Sequence, residues 1–208
     1  MKFMRRFMSL ILVIGALATA AGVFTVPVSA ATAYPNIAVS KKLTIGTNIA
    51  YMVHGTCKTN YLSRIVAARE RIMYPPGLSN PIILWRTETY ADSKMDFYQV
   101  SETAGNWYGS TTRFRRVAPG SATSSFSAIS LAQADTYDWI YGEIKLNHPK
   151  MQTYSAAKQE LVIVHEMLHV YGCKDLTGGN SIMLPIAIHT GTVTQVTKDA
   201  NDVLVEKY

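Results

Sequence analysis

The sequence predicts a single α+β domain, a twisted mixed β-sheet backed by helices. Three observations predict it. The apolar segments run strand, helix, several strands and then two helices. One segment, Thr153 to Tyr171, carries a sustained helical apolar period. The chain of 208 residues, 48% hydrophobic and 16% charged, is long enough for one core and not obviously for two.

The elements follow in order. Residues 31–43 read as a short extended lead with Pro35 and two lysines. Leu43 to Val53 reads as a strand. Thr59 or Asn60 can cap a helix, because Leu62, Ile65, Val66, Ile72 and Met73 follow at helical spacing. Pro75-Pro76-Gly77 ends it. Pro81 to Arg86 is a short apolar run suited to a buried strand, and Met95 to Val100 alternates as a strand does. Gly105 to Phe114 fits a strand or a loop. Gly120 to Ser125 is loop-like, and Ser127 to Ala132 and Gly142 to Asn147 are further strands. In the long helix, Ser155 or Thr153 can cap, Ala157, Leu161, Val164 and Leu168 form one stripe, and Gly172 can stop it. Thr177-Gly178-Gly179-Asn180 is loop chemistry. Thr197 can cap a last helix from Lys198 to the C-terminus, with Val203 inward.

The first 30 residues differ from the rest. Lys2, Arg5 and Arg6 precede an uncharged apolar run from Phe7 to about Val26, then Pro27 and the small residues Val28-Ser29-Ala30. This is the order of a signal peptide, with cleavage after Ala30 or, as the second choice, at Ala31-Thr32-Ala33. The competing reading is an uncleaved anchor, since the run is nearly long enough to span a bilayer. The expected layout is a signal peptide at 1–30, a lead at 31–43 and one folded domain at 44–208. The expected location is secreted, or cell-surface associated if the first segment stays, with no stable membrane insertion after cleavage.

Removing that segment takes away three positive charges and no acid. The formal net charge falls from +6 to +3, with 17 Lys+Arg against 14 Asp+Glu. The cluster Arg113, Arg115 and Arg116 beside Phe114 reads as a solvated strand end. It is too isolated for a nucleic-acid site. Cys57 and Cys173 are the two cysteines, and in an exported chain they make either one disulfide or two buried thiols.

Chemistry concentrates in His165-Glu166-Met167-Leu168-His169 on the long helix. Residues four apart share a helix face, so His165 and His169 can grip one zinc ion without bending the backbone. Glu166 projects roughly 100° to the side, which suits a carboxylate that handles the attacking water rather than the metal. Two imidazoles leave the site short of a protein ligand. Asp175 supplies it if the chain turns back, and Gly172 permits that turn. Glu206 and His189 are rival third ligands; the first lies three residues from the end and the second is distant along the chain. His54 and His148 are isolated.

The run His-Glu-x-x-His-x-x-Gly-x-x-Asp resembles the metzincin clan of zinc endopeptidases, in the snapalysin-type form where Asp175 replaces the third histidine. Ser181-Ile182-Met183-Leu184-Pro185 resembles the clan's methionine turn, with Met183 as the turn residue. The rest is similar to matrixin catalytic domains: Leu131-Ala132-Gln133-Ala134 to their edge-strand segment, Gly142 to Asn147 to the next strand, and Thr197 to Tyr208 to the closing helix. The chain departs from the pattern in having no cysteine-switch propeptide and no evident structural zinc or calcium cluster. Pro185 also stands where some members carry a tyrosine.

The resemblance implies a metzincin-like fold with an active-site helix, a Met-turn and a C-terminal helix. It implies one catalytic Zn²⁺ on His165, His169 and Asp175, with Glu166 as general base. The expected activity is endopeptidase hydrolysis by a monomer acting on protein or peptide, without nucleic acid. An edge strand near 127–132 would pair with substrate, and Pro185 to Thr194 would wall the pocket. The competing functions are an inactive secreted binding module on the same fold, or a hydrolase of cell-wall peptides.

Overall fold

A computed structural model describes residues 37–117, 126–130 and 133–208. The segment expected as a signal peptide, the start of the lead, the segment 120–125 expected as loop, and Leu131-Ala132 lie outside the described residues.

Among the described residues six strands and five helices follow one another: β1 (Asn48–Val53), α1 (Gly55–Met73), β2 (Ile83–Arg86), β3 (Ser93–Val100), β4 (Gly109–Arg116), β5 (Phe126–Ile129), β6 (Tyr141–Asn147), α2 (His148–Met151), α3 (Ala156–Val170), α4 (Pro185–Thr190) and α5 (Lys198–Lys207). The strands form one sheet in the order β2-β1-β3-β6-β4-β5. The first four in that order are parallel; β4 runs antiparallel to β6, and β5 antiparallel to β4. This is the α+β domain with a mixed sheet. No helix among the described residues is long and apolar enough to cross a membrane.

Register decides which side chains meet the helices. Tyr51 pairs with Met95, Val53 with Phe97, and Phe97 with Ile144. Alternation puts this set on one face, and all of it is buried. α1 meets it with Cys57, Tyr61, Ile65, Ala68 and Ile72, a stripe at helical spacing. α1 begins at Gly55, earlier than the expected caps Thr59 or Asn60, because Cys57 and Tyr61 already face the core.

α3 starts where expected, with Ser155 accepting from the Lys158 amide. Its burial differs from a single stripe. Ala157 is exposed, whereas every residue from Leu161 to Val170 is buried. The sheet lies on one side of it and α1 on another, so the second half of α3 is a core helix.

The expected boundary at residue 44 is not a boundary in the fold. Ile37, Val39 and Leu43 belong to the core. Val39 N donates to Gly172 O at 2.9 Å, and Lys174 N to Ile37 O at 2.6 Å. The lead therefore pairs with the chain just after α3. Ile37→Ala is expected to cost about 2 kcal/mol and to lower the melting temperature by roughly 4–8 °C. Calorimetry checks this; no shift would mean the lead is dispensable.

Cys57 and Cys173 are both buried and unbonded, so the thiol alternative describes them and the disulfide does not. They sit on different elements, the first turn of α1 and the turn after α3 that bridges to Ala38. Burial pushes both thiols up to about 12.

Candidate metal centre

α3 ends in a tight reversal. Cys173 N donates to Leu168 O and Gly172 N to His169 O, the two bonds of a Schellman cap. Gly172 takes φ 95° to make it, a conformation side chains resist. The Trp139 indole lies 3.2 Å from where a Cβ there would stand. Its Nε1 donates to Val170 O at 2.8 Å, tying the helix end to the segment before β6.

Beyond the turn, the chain is held on both sides of Asp175. Lys174 N bonds to Ile37 O, and Leu176 N donates to Met183 O at 2.8 Å. Asp175 is thereby brought back over α3. Its Oδ1 lies 3.0 Å from His165 Nε2 and 3.4 Å from His169 Nε2. The His165 and His169 rings stand 4.6 Å apart and nearly perpendicular.

The other ring nitrogens are occupied. His165 Nδ1 bonds to Ile182 O and His169 Nδ1 to Cys173 O, each at 2.9 Å. An N–H donated to a carbonyl there leaves each Nε2 lone pair for the shared centre. Ile182 belongs to a reverse turn closed by Leu184 N to Ser181 O, with Met183 fully buried inside it. Thr197 also holds this turn, through Oγ1 accepting from Ile182 N. The expected cap residue of α5 thus braces the turn instead of capping with its side chain.

The three ligand atoms fit a metal. Ligands at about 2.0–2.1 Å on a tetrahedral zinc stand roughly 3.3 Å apart, close to the two spacings from Asp175, and all three atoms lie within 4.8 Å of one another. Electrostatics agree. Burial opposes ionisation of Asp175, but bonds from His165 and His169 outweigh it and hold its carboxyl well below the usual carboxylate range. Burial also disfavours a charged His165; the bond to Asp175, the charge of Glu166 and the Ile182 carbonyl outweigh that and raise it. Both shifts run in the direction that favours positive charge beside the Asp175 carboxylate, and a bound cation would supply such a charge. Among the described residues no other group of three His, Cys, Asp or Glu converges in this way.

The rival ligands stand elsewhere. Glu206 is exposed on α5. His54 lies 3.0 Å from Asp96 and stacks on Tyr98, and His148 bonds to the Tyr61 hydroxyl. His189 bonds through Nδ1 to Tyr154 and lines the same cleft without joining the three ligands.

Glu166 is buried beside the cluster, and three residues of β4 shape its surroundings. Thr111 Oγ1 lies 2.7 Å from Glu166 Oε2 and 2.9 Å from its main-chain O, so one hydroxyl proton serves both. Gly109 leaves room for the carboxylate: a Cβ there would stand 2.6 Å from Glu166 Cγ. Arg113 sends Nε to His169 O at 2.6 Å and its terminal nitrogen to Cys173 O at 3.2 Å. It also lies 5.1 Å over Trp139. Arg113 is therefore a buried cation on one carbonyl of the last turn of α3 and one of the reversal after it, where the helix dipole favours positive charge. The solvated strand end expected for it describes Arg116, which is exposed. None of these three was singled out as a site residue. The alternation Gly109-x-Thr111-x-Arg113 was the available signal, since a strand puts such residues on one face.

A cleft of about 350 Å³ opens over the cluster. β4 and the segment before it form one wall; Pro185, Ile188 and His189 of α4 form another. Among the described residues β5 is the sheet edge, as the segment 127–132 was expected to be, but it pairs there only with Arg113 to Arg116. The edge beside the cleft is the first half of β4. Tyr108 O accepts from Asn147, so alternation turns the main-chain groups of Gly109 and Thr111 away from β6. Gln133 and Ala134, expected to end the edge strand, lie in a turn before β6.

No family model matches the chain, and no curated protein matches it. Among solved structures, one titled "GM1 bound form of the ECX AB5 holotoxin" aligns over 80% of this chain and 85% of its own, at 14% identity and a TM-score of 0.40.

Proposed function

We propose that this chain is a secreted zinc endopeptidase of the metzincin type, cutting peptide bonds by general-base attack of water. One observation carries the reading. His165 Nε2, His169 Nε2 and Asp175 Oδ1 converge on one point, with the Glu166 carboxylate beside them in a cleft. Buried His165, His169 and Glu166 gathered in a cleft with the exposed Asp175 mark a candidate reactive site, and this donor set suits zinc. Zinc held there would supply Lewis acidity and make a water acidic enough to act near neutral pH.

The protein's own groups do the rest. Glu166 takes the proton from the attacking water and returns it to the leaving amine. Thr111 fixes which way the Glu166 carboxylate faces. The outward main-chain groups of Gly109 and Thr111 offer hydrogen bonds to an extended substrate, which would join the sheet at β4. Pro185 and Ile188 give one side of the cleft an apolar lining. Export is supported by the basic start, apolar run and small-residue site within residues 1–30.

The test is hydrolysis of an internally quenched peptide library by the purified protein. Turnover, its loss on chelation and its return with zinc are expected. A zinc-loaded protein that cleaves nothing would favour the binding-module reading. Gly109→Ala is expected to displace Glu166 and lower kcat about 10²-fold with zinc content unchanged. Unaltered kinetics in that variant would show that the carboxylate position is not fixed by β4.

A further inference from the structure

We infer that His189 is a second catalytic residue of this cleft, its Nε2–H donating a hydrogen bond to the substrate carbonyl oxygen as negative charge builds there. The inference rests on the hydrolytic reading above. It starts from a side-chain cluster which that reading does not use.

His189 lies on α4 and lines the cleft together with His165, Glu166 and His169. Its ring is held on several sides. The Tyr154 hydroxyl bonds to Nδ1. The Tyr108 ring sits 5.0 Å from the imidazole and stacks on Tyr154 at 4.1 Å. Lys158 Nζ donates to the His189 carbonyl at 2.8 Å, which anchors the main chain. Tyr108 leads into β4, Tyr154 and Lys158 flank the start of α3, and His189 is on α4. Three parts of the fold fix one imidazole at the cleft.

The tautomer follows from the hydrogen bond. The Tyr154 hydroxyl has no other acceptor among the described residues. If it accepted from Nδ1–H, its own proton would go unpaired. Donating to Nδ1 places the neutral ring's proton on Nε2. Nε2 bonds to no protein group among the described residues and stands outside the three converging ligand atoms. The result is an oriented N–H donor in the cleft that also holds the converging ligand atoms and Glu166. Attack on an amide carbonyl moves charge onto its oxygen, and a donor aimed at that charge acts mainly on the transition state. A histidine kept only to fill space between two tyrosines would leave the chemical step untouched.

The experiment compares zinc-loaded native protein with His189→Ala and Tyr154→Phe. His189→Ala is expected to lose about 10²-fold in kcat, with KM within about threefold and the zinc content of the native protein. Its affinity for a phosphonamidate peptide, which mimics the tetrahedral oxygen, should fall by a similar factor while affinity for a product peptide is kept. Tyr154→Phe keeps the imidazole and should lose about tenfold, because only the tautomer and ring angle are released. Imidazole ¹⁵N shifts should show the Nε2–H tautomer in the native protein and a mixture in Tyr154→Phe. Native kcat in His189→Ala, loss of zinc with His189, or an Nδ1–H tautomer would each overturn the assignment. Its failure is separable from failure of the hydrolytic reading. If the native protein cleaves peptides and Glu166→Gln does not, an unimpaired His189→Ala removes only this inference.

Discussion

Glu166→Gln is expected to lower kcat by about 10²–10⁴-fold while zinc content and folding stay as in the native protein. The amide has nearly the shape of the carboxylate and keeps an oxygen for the Thr111 hydroxyl, so the packing at Gly109 is undisturbed. What it lacks is the capacity to accept a proton. Zinc should be retained, because the converging atoms come from His165, His169 and Asp175 and not from Glu166. Peptide hydrolysis and metal analysis on the same preparation check both halves. Undiminished turnover would remove Glu166 from the mechanism; loss of zinc would make it a ligand.

The second large effect is expected on stability. Arg113→Met should cost about 3 kcal/mol, since charged hydrogen bonds are worth roughly 1.5–3 kcal/mol each. That corresponds to a melting point lower by roughly 6–12 °C. Arg113 is 4% exposed and is a cation bonded to two carbonyls at the end of α3. Methionine fills similar space without a donor. The loss falls on the turn that carries Asp175, so zinc affinity should drop as well. Arg113→Lys keeps charge at the helix end but not the forked contact, and should lie between the two. Thermal melts of the three zinc-free proteins, followed by zinc titration, check this. Equal melting points would show that the buried guanidinium is neutral to the fold.

The centre of the site was legible because its geometry is local. Residues His165, Glu166 and His169 follow from helical spacing, and Gly172 marks a reversal that needs positive φ. Asp175 follows from the reversal itself. α3 and α5 were legible from apolar period and caps. What was not legible depends on partners distant in sequence. Gly105 to Phe114 fits strand or loop until β6 pairs with it. Only that pairing turns Gly109, Thr111 and Arg113 toward α3. Three arginines within four residues look like a solvated end, and nothing local shows that Arg113 is drawn onto carbonyls at the end of a helix more than fifty residues later. The lead is too short to show a period, and Pro35, Asn36, Ser40 and two lysines break up its apolar residues. Ile37, Val39 and Leu43 are enough to seat it, and their partners lie at Lys174, Gly172 and Trp139. α2 and α4 went unforeseen because each is short, with a proline at its start that reads equally as a turn.

Measuring bound zinc in the native protein and in Asp175→Ala, after dialysis against a weak chelator, tests the account at its centre. One zinc per native chain and none retained by the variant is the expected result. Native protein that emerges free of metal, or a variant that holds zinc as tightly as the native chain, would contradict it.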